Sequence, residues 1–213
     1  MFVIKMFEFS PIQENTYLLY NEQKNCIIID PGCYDDTERS TLSNFIATNG
    51  LKPLLLLNTH GHLDHVFGNK YVFDTYQLIP HIHPFEKELL DYAPISGLMY
   101  NLPFDHYEGE LNFLEESQVI KLDQDELKVL FTPGHSPGSV SFYCEKQDFV
   151  VSGDVLFKNS IGRTDLPGGN HDILIQSINN QLFVLPDYTI VYSGHGTETN
   201  ISSEIKYNPF LTN

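Results

Sequence analysis

The 213-residue chain is poor in cysteine, in basic residues and in long apolar runs. Its cysteines, Cys26, Cys33 and Cys144, are odd in number and widely spaced. That excludes a disulfide framework or a CxxC metal knuckle and reads as small hydrophobes in a reducing compartment. Only 12 Lys and Arg stand against 28 Asp and Glu, a formal net charge of −16. Such a surface repels phosphate backbones and anionic lipid headgroups, so neither nucleic acid nor a membrane is an expected partner. Part of that charge is neutralised locally wherever carboxylates hold a divalent cation. No run approaches the roughly 18 apolar residues of a membrane span. The start, Met1 to Phe9, carries Lys5 and Glu8 and has no small-residue cleavage site, so a signal peptide is not expected and the cytoplasm is. Internal repeats, low-complexity tracts and linkers are missing too. With 41% hydrophobic residues there is apolar material for one sizeable core, and a single domain over residues 1–213 is the expectation.

What is present begins as sheet. Short β-type runs at Phe2 to Phe9, Thr16 to Tyr20 and Cys26 to Asp30 follow one another as in an antiparallel meander. Asp35-Asp36-Thr37-Glu38 then opens a helix, with Leu42, Phe45 and Ile46 at helical spacing and a stop at Asn49-Gly50. Leu54 to Leu57 reads as a buried strand. Further strands are expected at Leu78 to Ile82, Val119 to Leu122, Leu127 to Phe131, Val140 to Cys144, Phe149 to Ser152 and Tyr188 to Tyr192, with a helix near Asp172 to Phe183. Strands followed by helix, twice, predict two sheets with helices outside. Tyr92 to Glu116, broken by Pro94, Gly97, Pro103 and Gly109, reads as an irregular loop.

Directly behind the Leu54–Leu57 strand comes Asn58-Thr59-His60-Gly61-His62-Leu63-Asp64-His65. A chain with 9 histidines places three of them, and an aspartate, between positions 60 and 65. Random shuffling yields the pattern His-x-His-x-Asp-His in only about one chain in a thousand, so coincidence is a weak explanation. Metal coordination accounts for the residue types, since neutral imidazole binds Zn, Fe and Mn and a carboxylate adds charge. Four donors so close crowd one ion. Two ions sharing a bridging carboxylate relieve the crowding and call for about three more ligands. His135 in TPGHS, Asp154 in SGDVLF and His195 in SGHGTE supply them, each in a glycine-containing turn after an apolar run.

The motifs THGHLDH, TPGHSPGS, SGDVLF, GRTDLPGG and SGHGTETN resemble those of the metallo-β-lactamase superfamily, and within it the glyoxalase II-like hydrolases. The resemblance implies an α/β (α+β) fold, the four-layer αββα sandwich. Position by position it implies His60, His62 and His135 for one metal, Asp64, His65 and His195 for a second, and Asp154 as the bridge. Asp64 and Asp154 are thereby the catalytic carboxylates. The implied cofactors are two divalent transition-metal ions, zinc foremost with iron or manganese as alternatives. The implied partner is a small-molecule thioester hydrolysed by a hydroxide held between the ions; the oligomeric state is not specified.

The resemblance thins around the substrate. Glyoxalase II proper has a C-terminal helical extension that supplies basic groups for glutathione, and this sequence stops at Asn213, so a domain without that extension is expected. Arg163 matches a cationic position of the family and, with Thr197, is a candidate for substrate binding. The tyrosines expected nearby appear as Asp165 and Thr197. An ion pair of Arg163 with Asp165 is the competing role. GRTD also occurs in the persulfide dioxygenases of the same fold, which use one iron held by two His and one Asp. That activity, or a lactonase, is the alternative. A purely structural zinc site is disfavoured, because such sites are closed four-ligand sets rich in Cys. His81, His83, His106 and His171 are read as ordinary core or surface residues, Gly168-Gly169 as a turn, and Asp30 as a turn or supporting carboxylate.

Overall fold

The computed structural model describes residues 1–211. The chain divides into two compact units, Met1–Phe113 with Leu122–Asp125, and Leu114–Lys121 with the chain from Glu126 onward. In the first unit β1 (Val3–Phe9), β2 (Glu14–Tyr20) and β3 (Asn25–Ile29) form the expected antiparallel meander. Helix α1 (Asp36–Thr48) then crosses back so that β4 (Lys52–Leu57) runs parallel to β3. Two short helices, α2 (Leu63–Val66) and α3 (Asn69–Tyr76), lead to β5 (Pro80–Ile82), and α4 (Lys87–Met99) leads to β6 (Asn112–Phe113). Both strands add in parallel, giving the six-stranded order β1-β2-β3-β4-β5-β6.

The boundaries of α1 follow from local chemistry. The Asp35 carboxylate accepts the Glu38 N–H at 2.9 Å as an N-cap, and Gly50 takes the left-handed φ of +63° that ends the helix. Leu42 and Ile46 of α1 and Val72 of α3 join Phe7, Leu18, Ile28 and Leu56 in one core cluster, which covers one face of the sheet.

The second unit, apart from residues 122–125, holds β7 (Val119–Leu122), β8 (Asp125–Phe131), β9 (Val140–Cys144) and β10 (Phe149–Gly153) in succession. A small hairpin, β11 (Leu156–Phe157) with β12 (Ser160–Ile161), comes next. Helix α5 (His171–Ser177), prolonged by a π-helical turn (Ile178–Leu182), then returns the chain to β13 (Ile190–Ser193), parallel to β10. After β14 (Thr199–Asn200) comes α6 (Ile201–Tyr207), and the sheet order is β14-β13-β10-β9-β8-β7. Leu174 and Ile178 pack with Ile201 over Leu130, Val150 and Val191.

The structure corrects the reading of Tyr92 to Glu116, whose first third lies in α4. Pro94 lacks an amide and costs a helix interior about 3 kcal/mol. Burial outweighs it, because Leu90 and Ala93 pack against Leu63, Val66 and Phe67 of α2 and its exit. Gly97 is no breaker either. A Cβ there would lie 2.7 Å from the Leu102 carbonyl, so the glycine lets the chain turn back against the helix. Among the described residues, no helix is long and apolar enough to cross a membrane.

All three cysteines are buried free thiols. Burial pushes Cys26 and Cys33 up to about 12 from an ordinary 9.0. Because the folded state favours the neutral thiol, this contribution to stability is intact below 9.0 and is lost as pH rises toward about 12. A thiol reagent at mildly alkaline pH is expected to leave all three unlabelled in the native protein and to label all three in denaturant. The alkaline fall in Tm should be shallower in Cys26→Ala; rapid labelling of native protein would contradict this burial.

Candidate metal centre

The histidine cluster lies at the C-terminal end of β4, the position where parallel strands commonly present ligands. His62 is the N-cap residue of α2, and Asp64 and His65 lie within that single short turn. Asn58 closes the loop: its Nδ2 donates to the His65 carbonyl at 3.0 Å while Asn69 Nδ2 donates to Asn58 Oδ1 at 3.0 Å. The structure thus brings His60, His62, Asp64 and His65 together. The His60 ring is 4.1 Å from that of His65 and 4.8 Å from that of His62, centroid to centroid.

Asp30 organises these rings. It follows β3 in the left-handed region, with φ of +48°, a conformation aspartate tolerates. Its Oδ1 accepts the Thr59 N–H at 2.7 Å, and its Oδ2 accepts the Thr59 hydroxyl at 2.6 Å and faces His65 Nδ1 at 3.0 Å. A carboxylate accepts, so His65 carries its proton on Nδ1. The Thr59 hydroxyl spends its only hydrogen on Asp30, so at 3.0 Å it accepts from His60 Nδ1–H. Both rings therefore turn Nε2 away from the bracing side. The donor atoms of Asp30, His60 and His65 all lie within 4.8 Å of one another.

Glu14, at the start of β2, is a buried acid among these groups, with Oε2 accepting the Thr16 hydroxyl at 2.9 Å and Oε1 3.9 Å from His65 Nδ1. Desolvation by burial holds its carboxyl well above the usual range, opposed by His65 and reinforced by Asp30. Nothing near Glu14 in the sequence marked it. Its signal is an acid in a strand buried along almost its whole length.

The second unit gathers His135, Asp154 and His195. His135 sits between β8 and β9, Asp154 follows β10 and His195 follows β13. Gly194 N–H donates to the Gly153 carbonyl at 2.8 Å, tying the last two turns together. Gly134 has φ of +131°, and a Cβ on it would run into the backbone of Leu174. A Cβ on Gly162 would collide with the Asp154 carbonyl. His135 Nδ1–H donates to the Arg163 carbonyl at 2.8 Å, so the ring's lone pair lies on Nε2.

The donor spacing fits a metal. Both His135 Nε2 and His195 Nε2 lie 3.6 Å from Asp154 Oδ2. That is long for a hydrogen bond, and close to the roughly 3.4 Å between two donors each about 2.1 Å from one tetrahedral ion. In the first unit His65 Nε2 and Asp64 Oδ2 are 3.8 Å apart.

Arg163 and Thr197 are both exposed. The Arg163 guanidinium forms a forked pair with Asp165, Nε to Oδ1 at 2.7 Å and an Nη to Oδ2 at 2.8 Å, which holds the Asp165 carboxyl down to about 2. His81 Nδ1–H donates to the Leu56 carbonyl at 3.1 Å, His83 caps the turn before α4, and His171 opens α5 exposed. Burial lowers the pKa of His81 and of His106.

Residues 10–195 match the metallo-β-lactamase superfamily, and the chain belongs to that family and has its fold. It is 42% identical over 211 residues to the probable metallo-hydrolase YqgX of Bacillus subtilis, covering 94% of this chain and 93% of that protein. It is 35% identical over 210 residues to the hydroxyacylglutathione hydrolase GloC of Haemophilus influenzae, covering 98% and 97%. Among solved structures it superposes on the B3 metallo-β-lactamase BLEG-1 with TM-score 0.91 and 40% identity, over 99% of this chain and 100% of the other. The di-iron-bound form of TTHA1623 gives TM-score 0.87 and 35% identity, over 97% and 99%.

Replacing Asp30 by Ala would strand two buried Thr59 donors and the His65 N–H. Urea unfolding of the metal-free protein should show a loss of about 3 kcal/mol or more. A change under about 1 kcal/mol would mean that other groups or water satisfy these donors.

Proposed function

We propose that the two sets of donors hold a pair of transition-metal ions, zinc foremost, and that the loaded protein hydrolyses small acyl thioesters. In this reading His60, His62 and His135 hold one ion, Asp64, His65 and His195 the other, and Asp154 bridges. The observation that carries it is the fixed orientation of the rings. Three histidines direct Nδ1–H to Thr59, Asp30 and the Arg163 carbonyl, which leaves each ring's lone pair on Nε2, the form a metal ligand needs. Bound there, two such ions supply an acidified water and Lewis-acid polarisation of a carbonyl oxygen. The likeness to the hydroxyacylglutathione hydrolase GloC supports a thioester as substrate.

The chain's own residues hold and orient. Asp30 and Thr59 fix the first-unit imidazoles, and Asp154 brings charge to the donors of the second. Arg163 is the candidate for the substrate's anionic end. Its forked pair with Asp165 means that a substrate carboxylate competes with a neighbouring one for the same guanidinium.

The purified protein is expected to carry two metal ions per chain by elemental analysis and to turn over a thioester without consuming oxygen. One ion per chain, with oxygen consumed on glutathione persulfide, would replace this reading by a dioxygenase. Asp154→Asn should cost far more activity than His81→Ala or His83→Ala; equal losses would sink the ligand assignment.

Arg163→Ala should raise KM for an anionic thioester and leave a neutral one nearly unchanged, as when uniform binding is lost. Asp165→Asn should lower KM for the anionic substrate by releasing the guanidinium. The same shift on both substrates would return Arg163 to the ion pair alone.

A further inference from the structure

Glu86 ends the short 3₁₀ turn Pro84–Glu86 that precedes α4 and is fully buried. A carboxylate at such a place is costly unless it is bonded. Its Oε2 accepts the backbone N–H of Gly61 at 2.7 Å, the length of a charge-assisted bond. Gly61 stands between His60 and His62. Its amide plane begins at the His60 carbonyl, and its Cα leads directly into His62, so holding that peptide restrains the backbone from which both imidazoles depart.

The seat is tight from the other side as well. A Cβ on Gly61 would lie 3.1 Å from the Glu86 carbonyl oxygen, 3.1 Å from the Leu90 N and 3.3 Å from Glu86 Oε2. The loop therefore rests on the first turn of α4 with no room for a side chain. The turn beneath it is itself anchored, with Glu86 N–H donating to the His83 carbonyl at 2.9 Å and Phe85 N–H to His83 Nδ1 at 3.3 Å.

We infer that Glu86 is a positioning residue for one of the two ions, acting through the Gly61 amide on His60 and His62. Asp30 and Thr59 hold the rings of His65 and His60 by their nitrogens, whereas Glu86 holds the backbone between His60 and His62. Its effect is therefore selective, falling on the ion that His60 and His62 share and sparing the one assigned to Asp64, His65 and His195. The inference rests on the two-metal reading proposed above.

The test is chelator competition, which resolves the two zinc affinities of the wild type and of Glu86→Gln and Glu86→Ala. Alanine removes the acceptor and should weaken one of the two ions about 10–100-fold, the range for groups supporting metal ligands, with the other unchanged. Glutamine keeps an amide oxygen for Gly61 but not the charge, so it should recover most of that loss and bind the affected ion only a few-fold more weakly than wild type. Glutamine is isosteric, so this variant reports even where alanine fails to fold.

Melting temperature in chelator separates stability from positioning. A lower Tm with both zinc affinities unchanged, or equal weakening of both ions, overturns the role of Glu86. A wild type that binds no metal or a single ion overturns the two-metal reading instead.

Discussion

The carboxylate of Asp30 is the constraint on which the first unit's chemistry depends. It stands where β3 ends, in a left-handed backbone conformation, and three donors converge on it from β4's exit and from α2. A buried charge persists only where such bonds replace its hydration. Because the same oxygens hold Thr59 and His65, and Thr59 holds His60, a single residue sets the protonated nitrogen of two imidazoles. Glu14 adds a second carboxyl beside His65, and burial favours its neutral form. The region combines a carboxylate that accepts from three donors with an acid whose charging burial disfavours.

Both units present their donors in one manner. An apolar strand ends, a turn containing glycine reverses the chain, and the polar side chain sits at the strand's end. His60 and His62 follow β4, Asp154 follows β10 and His195 follows β13. The glycines serve close packing more than flexibility. Gly61, Gly134 and Gly162 each lie where a methyl group would meet backbone atoms of another segment. Rigidity at these turns is what lets short loops hold donors a few ångströms apart.

Much of this was legible in the sequence, for local reasons. The cap at Asp35, the stop at Asn49-Gly50 and the apolar runs of β4, β7 and β9 are written within a few neighbouring residues, and the elements appear with nearly those bounds. The histidine cluster was legible because its members are adjacent. Helix α4 was not, since Pro94 and Gly97 look like breakers until the surfaces they pack against are known. Glu86 and Glu14 left no local trace of their place beside the cluster, because Gly61 lies 25 positions from the one and His65 lies 51 positions from the other. Asp30, which the sequence marks only as a turn or supporting carboxylate, bonds Thr59 and faces His65 Nδ1.

Position 163 divides its duties between backbone and side chain. Its carbonyl steadies His135, while its guanidinium reaches outward to Asp165. Every residue type offers the same carbonyl, so exchanging the outward group does not remove the acceptor that the imidazole uses. Support of the imidazole and contact with the surroundings are thus separable at one residue, so a substitution there would alter what faces solvent while leaving the acceptor behind it in place.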